Sequence, residues 1–250
     1  TIDRIDGPSF AAGKITGVLR AADVTALDLQ IAEVSIAGSS WRNVRTRCPE
    51  LKQERDQLIC AQGALETPAK IPLSFRYSAL TKNLDLGLQP AAGEEWRLAV
   101  ESASGARTFT LTIGNGLLTR LASWWPADWP KPNAGSVSGK LVFTGERDAQ
   151  ISAGLTVANG GFGDASGLHA GEKIAATLAL QAQQRGGQWQ WQGKLAWQGG
   201  DVFWQPLFIG GGGHALNLAG TLDAQRLSVE RGVLALAGIG EFDLHGTFER

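Results

Sequence analysis

Hydrophobic side chains recur at every second position along most of this 250-residue chain. "ALDLQIAEVSI" alternates through Leu27, Leu29 and Ile31, then changes phase to Val34 and Ile36. "KIPLSFRY" sets Ile71, Leu73, Phe75 and Tyr77 on one side; "NLDLGLQ" does so with Leu84, Leu86 and Leu88, and "TFTLTIG" with Phe109, Leu111 and Ile113. Successive side chains of a strand point to opposite faces, so each run predicts a short strand with one apolar face. The pattern resumes in "SVSGKLVF", "QISAGLTV", "KIAATLAL", "HALNLAG", "RLSVERGVLAL" and "EFDLHGTF". Turn signals such as "TKN", "AAGEE", "ESASGA", "QRGGQ" and "LDAQ" separate the runs. Short strands joined by local turns predict an all-β, antiparallel meander.

One segment breaks the rhythm. In "NGLLTRLASWWPADWPKPN" an Asn-Gly turn precedes Leu117, Leu118, Leu121, Trp124 and Trp125, spaced three and four apart. That spacing predicts a short amphipathic helix stopped by Pro126, Pro130 and Pro132. It divides the chain into a β segment at 1–114, a helix and proline connector at 115–133, and a second β segment at 134–250, continuous with the first sheet or packed on it. A second stretch, "PELKQERDQL", reads as a charged helix or a solvated loop.

The most aromatic run is "QWQWQGKLAWQ", residues 188–198. Trp189, Trp191, Leu195 and Trp197 share one face, and Gln190, Gln192, Lys194 and Gln198 share the other. Two closed sandwiches would hide these rings in ordinary cores. A single elongated sheet curled on itself would turn its apolar face inward to line a groove. The 33 glycines, against one tyrosine and no methionine, favour the curled sheet, because bends and bulges need them.

Charge and cysteine usage narrow the partners. A formal net charge of −1 with no basic run argues against nucleic acid. No stretch has the roughly 20 apolar residues that span a bilayer. The chain opens at Thr1 and stops at Arg250 directly after a strand-like run, which reads as a fragment trimmed at one or both ends. Cys48 and Cys60 are the two cysteines. They read as a disulfide closing a small loop in an oxidising compartment, the alternative being two buried thiols. A zinc site would need two more ligands, and no histidine lies nearby.

Motifs for chemistry are scarce. His169, His214 and His245 are far apart and lack metal-ligand spacing, so no metal or cofactor is expected. "GSVSG" at 135–139 has Val137 where a nucleophile elbow needs serine. "GGFGDASG" and "GGGG" at 210–213 do not stand between a strand and a helix, so they read as turns rather than phosphate loops. Asp23, Asp28, Glu94, Glu95 and Asp201 are scattered and read as solvated. The chain is therefore read as a binding protein and not an enzyme.

The chain resembles the AsmA-like proteins of Gram-negative bacteria, in particular the branch typified by YdbH. The resemblance rests on "IDRIDGPSFAAGKITGVLRAADVTALDLQIAEVSIAG", on "WRNVRTRCPELKQERDQLICAQGALETP", and on "LTRLASWWPADWPKPNAGSVSGKLVFTG". It is a similarity of texture spread over most of the chain. It implies a periplasmic protein held by an N-terminal inner-membrane helix absent from this sequence. It also implies an apolar β groove that carries phospholipid toward the outer membrane, with membrane-envelope proteins as further partners and no catalytic residues. On that reading Trp189, Trp191, Leu195 and Trp197 form a strip of the lipid-facing wall, and Leu117, Leu121, Trp124 and Trp125 plug or gate it. The alternatives are a structural or assembly module with sealed cores, and a carbohydrate-binding sandwich with exposed rings. The placement of Gln190 and Gln192 on the opposite face weakens the last.

Overall fold

The computed structural model describes residues 1–6, 10–21, 24–36, 39–67, 69–103, 105–123, 128–145 and 148–249. The fold is all-β: strands make up 79% of it, so pairing and register decide the architecture. Two compact units, Thr1–Ser102 and Ala103–Arg250, divide the chain.

The first unit holds β1 (Ile2–Asp6), β2 (Phe10–Ala21), β3 (Thr25–Ile36), β4 (Ser39–Cys48), β5 (Leu51–Glu54), β6 (Gln57–Glu66), β7 (Lys70–Ser78), β8 (Leu84–Leu88) and β9 (Glu95–Ala103). Neighbours in sequence pair antiparallel, except that β6 pairs with both β5 and β4. The charged stretch "PELKQERDQL" is neither a helix nor a loop. It forms β5, a tight turn in which Arg55 has φ 55°, and the start of β6. Leu51 stands opposite Cys60 and is buried, while Lys52, Gln53 and Glu54 are exposed. One buried position in a four-residue strand leaves no alternation to detect.

Cys48 and Cys60 form the predicted disulfide, with a Cα–Cα separation of 5.9 Å. Among the described residues they are the largest side chains that are fully buried. Leu27, Leu51, Leu58 and Phe75 pack around them. The polar side of β3 and β4 is tied by ion pairs. Arg45 clamps both oxygens of Asp28, and Arg47 reaches Glu66 at 3.3 Å.

The second unit runs through β10 (Ala106–Leu117), a 3-10 turn (Leu118–Ser123), β11 (Lys131–Gly145), β12 (Gln150–Gly163), β13 (His169–Arg185), β14 (Gln188–Trp204), β15 (Leu207–Ile209), β16 (His214–Leu222), β17 (Arg226–Leu236) and β18 (Gly240–Glu249). Strands pair antiparallel in sequence order, except that β15 and β16 both pair with β14. Its first and last strands, β10 and β18, do not pair with each other, so the sheet is open and not a barrel.

Bulges cross this sheet in file. Positive φ falls at Asn115 in β10, Gly135 in β11, Asn159 in β12, Lys173 in β13 and Gly200 in β14. Register shifts accompany the bulges on β10 to β13. They are neighbours: a Cβ on Gly135 would lie 2.6 Å from the Asn159 carbonyl oxygen, and one on Gly200 would lie 2.6 Å from the Lys173 carbonyl oxygen. Each bulge bends its own strand and strengthens its twist, so aligned bulges crease five strands along one line. This is the curl that the glycine-rich composition predicts.

The helical element starts later than its spacing predicts. β10 continues through the Asn115–Gly116 pair, which is a bulge and not a turn. Gly116 then pairs with Val137, and Leu117 with Ser136. Strand pairing uses the residues that the 3.6-residue pattern assigned to a first helical turn, leaving one 3-10 turn at Leu118–Ser123. Trp124, Trp125 and Pro126 lie outside the described residues.

Candidate functional site

Antiparallel register puts directly opposed residues on the same face. Following it across β10 to β18 turns the separate alternations into continuous apolar rows. One row runs Leu111, Leu141, Ala153, Leu180, Gly193, Leu218, Gly232 and Leu244. The next runs Ile113, Gly139, Leu155, Leu178, Leu195, Leu216, Leu234 and Phe242. Trp191 lies in the row of Phe109, Phe143, Ile151 and Ala182, and Trp197 in that of Val137, Val157 and Ala176. Trp189 stands opposite Leu222.

This face is covered only in part. Trp189, Trp191, Leu195 and Trp197 are all partly buried, while the alternate Gln190, Gln192, Lys194 and Gln198 are exposed. Leu141 is 39% exposed and Leu178 38%. A sealed sandwich core would bury such residues almost completely. The fully hidden residues of these rows are small or β-branched: Val137, Ala153 and Ala176.

Alternation of large and small residues shapes the surface. Trp191 has Ala182 on one side and Gly220 on the other. A Cβ on Gly220 would sit 1.9 Å from the Ser228 carbonyl oxygen, so no other residue fits there without moving a strand. Gly193 is roomier: a Cβ there would meet nothing nearer than 3.9 Å. The indole groups differ in their polar contacts. The Trp197 Nε1–H donates to the carbonyls of Gly200 (3.3 Å) and Gly211 (3.0 Å), fixing the ring to the bulge and to the glycine loop. The Trp191 Nε1–H is buried without an acceptor. Such a group costs about 1–3 kcal/mol.

The predicted site residues do not all converge. Leu117 ends β10 and is exposed, whereas Leu121 is half-buried in the 3-10 turn, so they do not form one helical stripe. Trp124 and Trp125 lie outside the described residues. Spacing within β14 found the tryptophans but not the rows they belong to. The signal for Phe109, Leu141, Leu155, Leu178 and Leu216 was present in the alternating runs, and only the register assigns them to one face.

The opposite face of the same strands is polar. An open hollow of about 920 Å³ beside these strands is lined by Ser152, Gln181, Gln183, Gln190 and Gln192, and also by Trp191 and Ile151. Gln192 donates an amide hydrogen to Gln181 at 2.7 Å. Along β14 itself, rings and amides alternate between the two faces.

Several of the carboxylates and histidines serve local structure. Asp28 is paired with Arg45, which together with Arg47 and Arg20 holds its carboxyl below the ordinary range. Glu94 is buried and accepts the Trp96 indole N–H at 2.8 Å. Asp201 accepts the Gly211 N–H at 3.3 Å. His169 meets Asp164 through Nδ1, and the Ser166 hydroxyl donates to the same carboxylate at 2.9 Å. These contacts hold the Asp164 carboxyl at about 2, the His169 bond acting most strongly. The His169 ring lies 4.2 Å from Trp204. His214 receives the Ala237 N–H at 3.0 Å. Asp23 lies outside the described residues. Among the described residues no group of three His, Cys, Asp or Glu side chains is placed to hold a metal.

No family model, no curated protein and no solved structure matches this chain.

Proposed function

We propose that the chain is a periplasmic segment of an AsmA-like lipid-transfer protein, non-catalytic, whose second unit shields acyl chains on its apolar face. The observation that carries this reading is the partial cover of that face: rows of leucine and tryptophan run from β10 to β18, yet members such as Leu141 and Leu178 remain exposed. An acyl chain in water costs about 0.8 kcal/mol per CH₂. A broad apolar strip offsets that cost at every position without gripping the chain at any one of them. Such a surface suits movement of phospholipid between inner and outer membranes better than storage. The disulfide agrees with an oxidising compartment.

Photo-crosslinking tests the reading. With a photoreactive residue at 178 or 141, protein purified from its host is expected to yield a phospholipid adduct, and native mass spectrometry to detect co-purified lipid. The same residue at 181, on the glutamine face, is expected to yield none. Absence of lipid in both measurements, or equal labelling from both faces, overturns the assignment and favours an assembly module.

A further inference from the structure

A meander places alternate connections at opposite ends of its strands, so the turns of the second unit fall into two sets. One end carries the connections at 148–149, 186–187 and 223–225, composed of Gly, Ala, Gln and Asp. The other end carries those at 164–168, 205–213 and 237–239. Here large apolar side chains are exposed beside Ser166 and Gln205. Leu168 leads into β13, Leu207 (63% exposed) and Phe208 (67%) stand on β15, and Ile239 (72%) caps the last turn. Soluble turns are normally built from small polar residues; both ends use them, and among the described residues only this end adds large exposed apolar side chains to its turns.

We infer that this apolar end docks on a lipid bilayer, its turns entering the interfacial layer of an uncharged leaflet. Ribbon geometry selects that occupant. On the β14–β15 ribbon, Phe203 opposes Phe208 on one face, and Trp204 opposes Leu207 on the other. All four are exposed. A protein partner covers one face of a two-stranded ribbon and leaves the other in water. The interfacial layer surrounds both. Trp204, its ring tilted against that of His169, sits one step inward of the tip, where an indole suits the boundary between water and acyl chains. The flanking charges select the leaflet. With the β10–β11 connection at the same end included, Asp128, Asp164, Glu172 and Asp201 outnumber Arg120, Lys131 and Lys173, so no basic patch draws the end toward anionic headgroups.

This docking is separate from acyl-chain shielding on the tryptophan face, and each can fail without the other. The test is co-flotation of the 250-residue chain with phosphatidylcholine vesicles. The parent is expected to float, equally at low and high salt. The double variant Leu207→Ser/Phe208→Ser should lose at least about tenfold in vesicle affinity, given the transfer free energy of two large apolar side chains. Ile239→Ser should lose less, and Arg226→Ser at the opposite end should float like the parent. Both ribbon side chains are largely exposed, so the double variant keeps its fold, which circular dichroism checks. Adducts at 178 are expected to persist in it, which separates this result from the proposed function. A parent that stays in solution overturns the inference, as does flotation that needs anionic lipid and is stripped by salt. A parent that forms vesicle-independent dimers dissolved by the double variant overturns it as well, because the turns then serve a second copy of the chain.

Discussion

The two units of this chain spend their apolar residues differently. Thr1–Ser102 gathers Leu27, Leu51, Leu58 and Phe75 around a buried disulfide and closes a small core. Ala103–Arg250 has no cysteine and spreads its leucines and tryptophans along rows, burying few of them fully. The contrast teaches that a sheet can keep its form without a sealed interior when backbone pairing over 12 to 17 residues per strand carries the order, as in β10 to β14. Removing a contact should therefore have a local, large effect in the first unit and a diffuse, small one in the second.

The largest effect is expected from the disulfide. Replacing Cys48 and Cys60 by alanine should destabilise the first unit by about 2–4 kcal/mol, through the lost loop constraint. Hydrogen exchange should then quicken in β5 to β7 and stay unchanged in β12 to β14. Equal quickening in both units would break the comparison. Next comes Gly220→Ala, which sets a methyl against the Ser228 backbone oxygen. It should cost about 1–3 kcal/mol, as overpacking does, and loosen β16 and β17 in a thermal melt followed by hydrogen exchange.

Trp189→Ala sharpens the comparison further. In a closed core a tryptophan truncation costs about 3–5 kcal/mol. On a partly covered face it should cost about 1–2 kcal/mol, measured by urea denaturation. A value in the higher range would mean that the face is sealed. Trp191→Phe should change stability by less than about 0.5 kcal/mol in either direction, because it removes an indole N–H that has no acceptor along with some ring area.

Acid provides the smallest and most local probe. The folded-state Asp164 carboxyl lies at about 2, below its ordinary value of 3.8. Its contribution is therefore complete above the ordinary value and is lost as pH falls through about 2. The turn at 164–168 should lose exchange protection in that window, and Asp164→Asn should remove the dependence. Asp28 and Asp85, each held low chiefly by an arginine hydrogen bond, give the first unit a dependence of the same sign.

Much of the fold was legible because its signal is local. Alternation at every second residue named most of the strands, and "QWQWQGKLAWQ" announced both faces of β14 before any partner was known. Two segments were misread. β5 buries a single side chain, so its charged residues read as a helix or a loop. Leu117 and Leu121 matched a helical spacing, yet the Asn115–Gly116 bulge extended β10 and took Leu117 into the ladder. Local preference gave way in both cases to hydrogen bonding with a neighbouring strand.

The amino-acid order by itself determined that this protein is antiparallel β, that Trp189, Trp191 and Trp197 share a face, and that Cys48 and Cys60 stand close enough in sequence to join. Each follows from interactions between near neighbours in the chain. Only the tertiary structure decided which runs lie side by side, that their apolar positions merge into rows, and that apolar turns collect at one end. Those facts depend on register, and a shift of one residue would move every leucine of a strand to the glutamine face.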